Sequence, residues 1–406
     1  MSSGLEIAYK NVAKQQEKYN TLYSDIYSHI YIYEEISNKT VERIRNEVSV
    51  LSRIQKNIVE TSEQESLEIF TLPKPIVIHM HSPGGDTNAG IALSNIFNYN
   101  VPIIVIAEGI VASAATFILV KAKLSYMLET AFVLIHQYFG TLSGKQEELK
   151  FDINVGNQFM KFLIDMYSKN TKLTKQQIKN MLQHDIFLSA NDCVKNGIVD
   201  HILLEIPPEK HIFYDTKHSF AEFFPEKNIM TKIADMNILS IVKSIEESSM
   251  DIYTKALPIV KYIHLANTFK HSIPLVIVLV DRTDSIYFND IIDILPVINA
   301  MYISKLSIYS VILGPITNFS VLVNIIATYR YIHKDAYITL DFVTFSSPSF
   351  KYEDTVVNTQ FVRNIITSFF VKYTKFPKEM LNKIFKERFI INASDAIKYK
   401  FADVII

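Results

Sequence analysis

Short β-branched apolar runs alternate along the chain with stretches whose apolar residues recur at helical spacing. Ile76–Met80 (IVIHM), Ile103–Ala107 (IIVIA) and Phe132–Gln137 (FVLIHQ) read as buried strands, because continuous Val- and Ile-rich runs suit a sheet covered on both faces. Val41–Lys56, Asn88–Phe97 and Ile153–Tyr167 read as helices. Strands alternating with helices predict α/β architecture with a mainly parallel sheet. One run, Val101–Val120 (VPIIVIAEGIVASAATFILV), is long enough to cross a bilayer. Pro102, Glu108 and Gly109 divide it, so a buried strand followed by a buried helix is the better reading.

The pattern also repeats. FLSANDCVKNGIVDHIL (Phe187–Leu203) matches the chain's end, FIINASDAIKYKFADVII (Phe389–Ile406), with Ala190 on Ala393 and Asp200 on Asp403. Upstream, Ala131 falls on Ala336 and Gly109 on Gly314, and IVIHMHS (Ile76–Ser82) on VIVLVDR (Val276–Arg282). Four blocks in one order at a nearly constant offset predict two tandem α/β domains rather than a short-period solenoid. The expected boundaries are a polar, helix-prone arm over 1–28, a first domain over 29–206, a linker over 207–236 carrying Pro207, Pro208 and Pro225, and a second domain over 237–406. A chain of 406 residues accommodates this at about 100–200 residues per domain.

Composition narrows the function. With 49% hydrophobic and 20% charged residues the chain is a globular protein, and its formal net charge of −1 gives no electrostatic case for nucleic acid or anionic membrane as partner. A single cysteine, Cys193, forbids an internal disulfide and fits a reducing compartment. The N-terminus lacks the apolar core of a secretory signal, so a cytoplasmic protein is expected. All of the 10 glycines except Gly314 lie in the first half, where close backbone approach to a ligand is therefore concentrated.

Three places in that half can carry chemistry. Ser82-Pro83-Gly84-Gly85 follows an apolar strand; adjacent glycines there can aim N–H groups at a developing oxyanion, or simply make a turn. Ser113, among small residues after IIVIA, can present its Oγ at a strand-to-helix turn, or serve close helix packing. His136 ends an otherwise apolar strand as a base or as a hydrogen-bonded core residue, and Asp185 either orients it or caps a helix. His79 and His81 share a strand face at the spacing of a metal pair. Without nearby Cys or acidic ligands, no metal and no cofactor is expected.

Taken in order, HIYIYEEISNKTVERIRNEV, IVIHMHSPGGDTNAGIALSNIF, IAEGIVASAATFIL, FVLIHQYFG and DIFLSANDCVKNGIVDHIL closely resemble the ClpP family of serine peptidases, with its ClpP/crotonase-like fold, over His29–Leu204. The resemblance implies Ser113 as nucleophile, His136 as general base and Asp185 as its orienting acid. It also implies an oxyanion hole from the N–H groups of Gly85 and Ala114, supported by the Ser82-Pro83-Gly84 turn. Where the family usually carries a polar non-ionic residue, His81 stands here. The activity implied is hydrolysis of unfolded polypeptides through an acyl-enzyme, in a homo-oligomer served by an AAA+ unfoldase.

Carried through the repeat, Ser113 falls on Asn318, His136 on Asp341, Asp185 on Arg388, and Gly84 and Gly85 on Asp284 and Ser285. An amide is not activated as a serine is, and aspartate does not replace imidazole near pH 7. The second copy is therefore expected to be degenerate. Two fused copies as neighbours in one ring imply an even number of places, such as three chains giving six. The rival expectations are an inactive structural or adaptor pseudo-peptidase, and a specialised processing peptidase such as a viral capsid-maturation enzyme.

Overall fold

Strand β1 (His29–Ile32) runs parallel to β2 (Ile76–Ser82), with the 27-residue helix α1 (Asn38–Gln64) between them in sequence. Thr40, Ile44 and Val48 recur every fourth residue on α1 and are all buried, so one stripe of the helix seals a sheet face. Helix α2 (Thr87–Leu93) is capped by Asp86, which accepts the Ala89 N–H at 2.7 Å. Strand β3 (Ile103–Ala112) lies parallel to β2, and a short 3₁₀ turn, Ser113–Ala115, leads into α3 (Thr116–Lys121). Then come β4 (Ser125–Leu128), β5 (Phe132–Leu134), α4 (Gln146–Asn170), α5 (Lys175–Met181), β6 (Phe187–Ser189), α6 (Ala190–Lys195) and β7 (His201–Leu203).

The sheet order is β1-β2-β3-β4-β7, all parallel, while β5 pairs with the far end of β3 and with antiparallel β6. The computed structural model describes residues 29–64, 75–98, 102–138, 141, 143–203, 238–240, 256–267, 275–279, 289–304, 306–342 and 352–406. The expected arm and linker lie outside these. The chain forms two units, one of Met1–Leu203 with Ser346–Asn358, the other of Leu204–Phe345 with Thr359–Ile406.

The divided apolar run is indeed strand then helix, and no helix among the described residues is long and apolar enough to cross a membrane. Glu108-Gly109 does not end the strand, however. The pairing moves from Met80–Ala107 to Ser82–Val111, so β3 bulges at Glu108 and exchanges β4 for β5 as its neighbour. The buried Glu108 carboxylate is tolerated because it is bonded: Tyr33 Oη donates to it, and His79 Nδ1 lies 2.7 Å away. His79 Nε2 meets His29 Nδ1 at 2.7 Å, and Tyr31 stacks on the His79 ring at 4.6 Å. Thus His79 does have an acidic neighbour, one that spacing along β2 could not announce.

His81, fully buried, accepts the Ile110 N–H on Nδ1 at 3.2 Å, and burial pushes its pKa down to about 3. An unfolded histidine titrates near 6.5, so between these values the unfolded chain holds the extra proton. Stability conferred by the neutral ring is complete above pH 6.5 and falls as pH drops toward 3, at up to about 1.4 kcal/mol per pH unit. Urea midpoints across this window should drop less steeply in His81→Gln than in wild type; equal slopes would refute the assignment.

The second unit builds its sheet from β8 (Ile238–Ser240), β9 (Leu275–Leu279), β10 (Ile308–Ile312), β12 (Tyr329–Ile332) and β15 (Val404–Ile405), again parallel in the order β15-β12-β10-β9-β8. A small second sheet comprises β11 (Ile316–Thr317), β13 (Tyr337–Leu340) and β14 (Phe389–Asn392), with β13–β14 antiparallel. Its helices are α7 (Ala256–Ala266), α8 (Asn289–Ile303), α9 (Asn318–Ile326), α10 (Tyr352–Tyr373, whose residues to Asn358 belong to the first unit), α11 (Lys378–Leu381) and α12 (Ala393–Lys398). Buried Asn324 ties α9 down, accepting from Ser310 Oγ and donating to the Phe401 carbonyl, both at 2.7 Å.

The repeated terminal Asp is structural in both units. Asp200 accepts the N–H and Oγ–H of Ser125 at 2.8 and 2.9 Å, latching the start of β4. Asp403 accepts the Arg330 N–H at 3.1 Å and its guanidinium at 2.9 and 3.0 Å, latching β12 in the same way. Each carboxylate satisfies the main chain where a buried strand begins.

Candidate active site

Strand register assembles the candidate residues. β3 and β5 are parallel with Ala112 beside Leu134, so Ser113 leaves β3 next to the end of β5 that leads to His136. β5 and β6 are antiparallel with Leu134 opposite Phe187. Continuing that register two residues past Leu134 and two before Phe187 sets His136 opposite Asp185. The side chains follow: His136 Nδ1 lies 3.9 Å from Asp185 Oδ1, an ion-pair separation longer than a hydrogen bond. Both are about one quarter exposed. Burial pushes the His136 pKa below the ordinary 6.5, against the opposing pull of Asp185.

Ser113 occupies a tight corner. Its φ of 53° is positive, uncommon for a residue with a Cβ and a form of strain concentrated at functional turns. Neighbours hold it there: Thr116 Oγ1 donates to the Ser113 carbonyl at 2.5 Å, and the same hydroxyl meets Tyr167 Oη on α4 at 2.6 Å. Sequence patterning places Tyr167 only at the end of a helix, Ile153–Tyr167, and carries no sign of this support.

The Ser82–Gly85 turn wraps the same corner. Ser82 Oγ donates to the Glu34 carbonyl at 2.6 Å and accepts the Gly84 N–H at 3.3 Å. Gly84 has φ +95° and Gly85 φ +141°, values that side chains rarely adopt. A Cβ on Gly84 would stand 2.5 Å from Ser113 Cβ, 2.7 Å from the Ala112 carbonyl and 3.0 Å from Ala114 N. Bare backbone is therefore required where this turn meets the Ser113–Ala114 peptide. On its other side the turn pairs with Ile36, whose N–H donates to Gly84 O at 2.6 Å and whose carbonyl accepts from Asp86 N at 2.8 Å. Gly90 brings α2 close in the same way, since a Cβ there would lie 2.8 Å from the Ala114 carbonyl.

The structure thus brings His136 to Asp185, and Gly84 to Ser113 and Ala114; Pro83 supplies only the turn. Two contributors that sequence reading missed are Asp354 and Asn358, which bond the main chain at Asp185. The lone thiol stays outside: Cys193 is buried, and burial raises its pKa. Among the described residues, no group of three or more His, Cys, Asp or Glu could hold a metal ion.

In the second unit, β13 and β14 are antiparallel with Leu340 opposite Phe389, so Asp341 and Arg388 take the facing positions. They form an ion pair, with Arg388 Nε and Nη2 at 3.0 and 2.8 Å from Asp341 Oδ2. Asn318 opens α9 directly after β11.

The first unit is thus a parallel-rich α/β domain with a positive-φ serine at a strand end. The Clp protease family model matches residues 13–205. A Clp protease proteolytic subunit 1 from Borreliella burgdorferi is 30% identical over 142 residues, covering 34% of this chain and 73% of that protein. Subunit 2 of the same organism is 27% identical over 181 residues, covering 43% and 86%. The proteolytic subunit of Borrelia garinii subsp. bavariensis is 29% identical over 134 residues, covering 32% and 69%. A solved ClpP1 N165D mutant from Listeria monocytogenes aligns with 47% of this chain and 96% of its own, at 22% identity and a TM-score of 0.37. The chain belongs to the Clp protease family.

Proposed function

We propose that the first unit is a serine endopeptidase of the ClpP type. Ser113 Oγ attacks a peptide carbonyl as His136 takes its proton; His136 then protonates the departing amine, and water hydrolyses the Ser113 ester with His136 again as base. Asp185 orients the imidazole and stabilises its cationic form. The N–H groups of Gly85 and Ala114 receive the oxyanion, supported by Ser82, Pro83 and Gly84. One observation carries this reading: two strand registers converge on one sheet end where a positive-φ serine meets glycines that admit no side chain. The neighbours of Gly85, not Gly85 itself, bond Ile36, which supports an N–H of Gly85 directed to the opposite, Ser113 side.

The second unit reads as a degenerate tandem copy. In support, every strand of the first sheet has a counterpart in the same order, and an Asp341–Arg388 pair stands where a base and its acid would. The substrate class is unfolded polypeptide, in a cytoplasmic homo-oligomer fed by an AAA+ unfoldase. Phe151, Ile153, Val155 and Phe162, large apolar residues exposed on α4, support self-association.

Labelling the full chain with a fluorophosphonate and mapping the adduct by peptide mass spectrometry tests this. A phosphonylated Ser113 is expected; no adduct, or one elsewhere, overturns it. The 3.9 Å gap between His136 and Asp185 favours the second reading, an inactive pseudo-peptidase scaffold, and absence of the adduct selects it.

A further inference from the structure

Asp185 sits between α5, which ends at Met181, and β6, which begins at Phe187. Its carboxylate has a task only if its main chain is held, and the holding groups come from a helix some 170 residues downstream in sequence. Asp354 Oδ2 accepts the Asp185 N–H at 3.0 Å, and its Oδ1 lies 3.2 Å from His184 Nδ1. Asn358, one helical turn further along α10, donates from Nδ2 to the Asp185 carbonyl at 2.7 Å and accepts the Phe187 N–H on Oδ1 at 2.9 Å. Both side chains are buried, Asp354 at 2% exposure and Asn358 at 0%.

Resting on the peptidase reading above, we propose that Asp354 and Asn358 are positioning residues that fix the Asp185 main chain so that its carboxylate faces His136. The chemistry suits the task. A carboxamide is the side chain that donates to one peptide group and accepts from another two residues on. Its i, i+4 partner on the same helix face supplies the acceptor for the remaining N–H. Buried in this way, the four atoms have no water to substitute for a lost partner, so truncation frees the loop rather than rehydrating it. The β5–β6 register brings Asp185 opposite His136, but its paired residues begin only at Phe187; the clamp bonds the main chain at Asp185 itself. The first unit thus holds Asp185 with residues that lie late in the sequence but belong to the same unit.

The test compares rates of fluorophosphonate labelling in the full chain for wild type, Asn358→Leu, Asp185→Ala and the Asp185→Ala/Asn358→Leu pair. Misplacing an orienting group by an ångström costs up to about 100-fold, so Asn358→Leu should label about 10- to 100-fold more slowly. It should cost almost nothing further once Asp185 is gone, because its route runs through that residue. A merely structural role would leave the pH profile unmoved. Here the acidic limb should shift to lower pH, since His136 would lose the support of the Asp185 charge; His184 and Asp354, which also face this loop, are left in place in Asn358→Leu.

Should Asn358→Leu fail to fold, Asn358→Asp retains the acceptor for Phe187 but not the donor to Asp185, and the same slower rate is expected. Unchanged labelling in a folded Asn358 variant, or a loss that adds in full to that of Asp185→Ala, overturns this proposal alone. A wild-type chain that does not label at Ser113 overturns the peptidase reading, and this proposal with it.

Discussion

His136→Ala should lower the rate of Ser113 acylation by about five to six orders of magnitude, the loss that follows when a serine nucleophile is deprived of its base. A serine hydroxyl is weakly acidic and attacks a carbonyl only as its proton leaves, so without an acceptor in reach the oxyanion donors have little charge to stabilise. His136 suits the role because burial lowers its pKa below 6.5. The ring is then neutral and basic at pH 7, and the sign follows directly: protonation removes the base, so activity falls as pH drops, with a midpoint displaced to the acid side of 6.5. Asp185→Asn should cost less, about 10⁴-fold, because the imidazole remains while its orientation is lost. Pre-steady-state labelling measures all three. A His136→Ala rate within tenfold of wild type would remove histidine from the mechanism.

What could be read in advance depends on the range of the interaction. Apolar periodicity is local, and it located the buried strands and the helices that cover them, because a sheet sealed on both faces must be apolar throughout. Ser113, His136 and Asp185 were legible as residue types at strand ends, and the register of β3, β5 and β6 explains why those ends coincide. Glu108 was misleading because charge and glycine ordinarily end a strand. The bulge there is sustained by Tyr33 and His79, partners that lie far from it in sequence. Asp354 and Asn358 carried no signal for the same reason: nothing in YEDTVVNTQ announces a main chain to be clamped.

The same distinction separates what repeats from what differs. Asp200 and Asp403 each bond main chain near the start of a strand, a requirement of the sheet in both units. The residues facing across the antiparallel pair have no such duty: imidazole and carboxylate stand 3.9 Å apart in one unit, guanidinium and carboxylate bond in the other. The exposed Asp341–Arg388 pair adds little stability, about 0–1 kcal/mol, so the fold makes no strong demand on these two positions.

Gly84→Ala should reduce labelling of Ser113 by about 10²- to 10³-fold, the effect of disturbing one oxyanion donor, while the protein remains folded. The added Cβ would fall 2.5 Å from Ser113 Cβ and 3.0 Å from Ala114 N, against main chain and the root of a side chain, neither of which can swing aside. At φ +95° the alanine is also strained by about 1–3 kcal/mol wherever space might be found. Relief requires the turn and the Ser113–Ala114 peptide to separate, and that displaces both the attacking oxygen and the proposed donor. Gly156 offers the comparison, lying within α4 with nothing inside 4 Å of an added Cβ. Gly156→Ala should label at the wild-type rate and gain up to about 1 kcal/mol from helix propensity. Thermal melts alongside labelling rates separate the two effects. If Gly84→Ala labels as fast as Gly156→Ala, the close approach of the turn to Ser113 has no part in the chemistry.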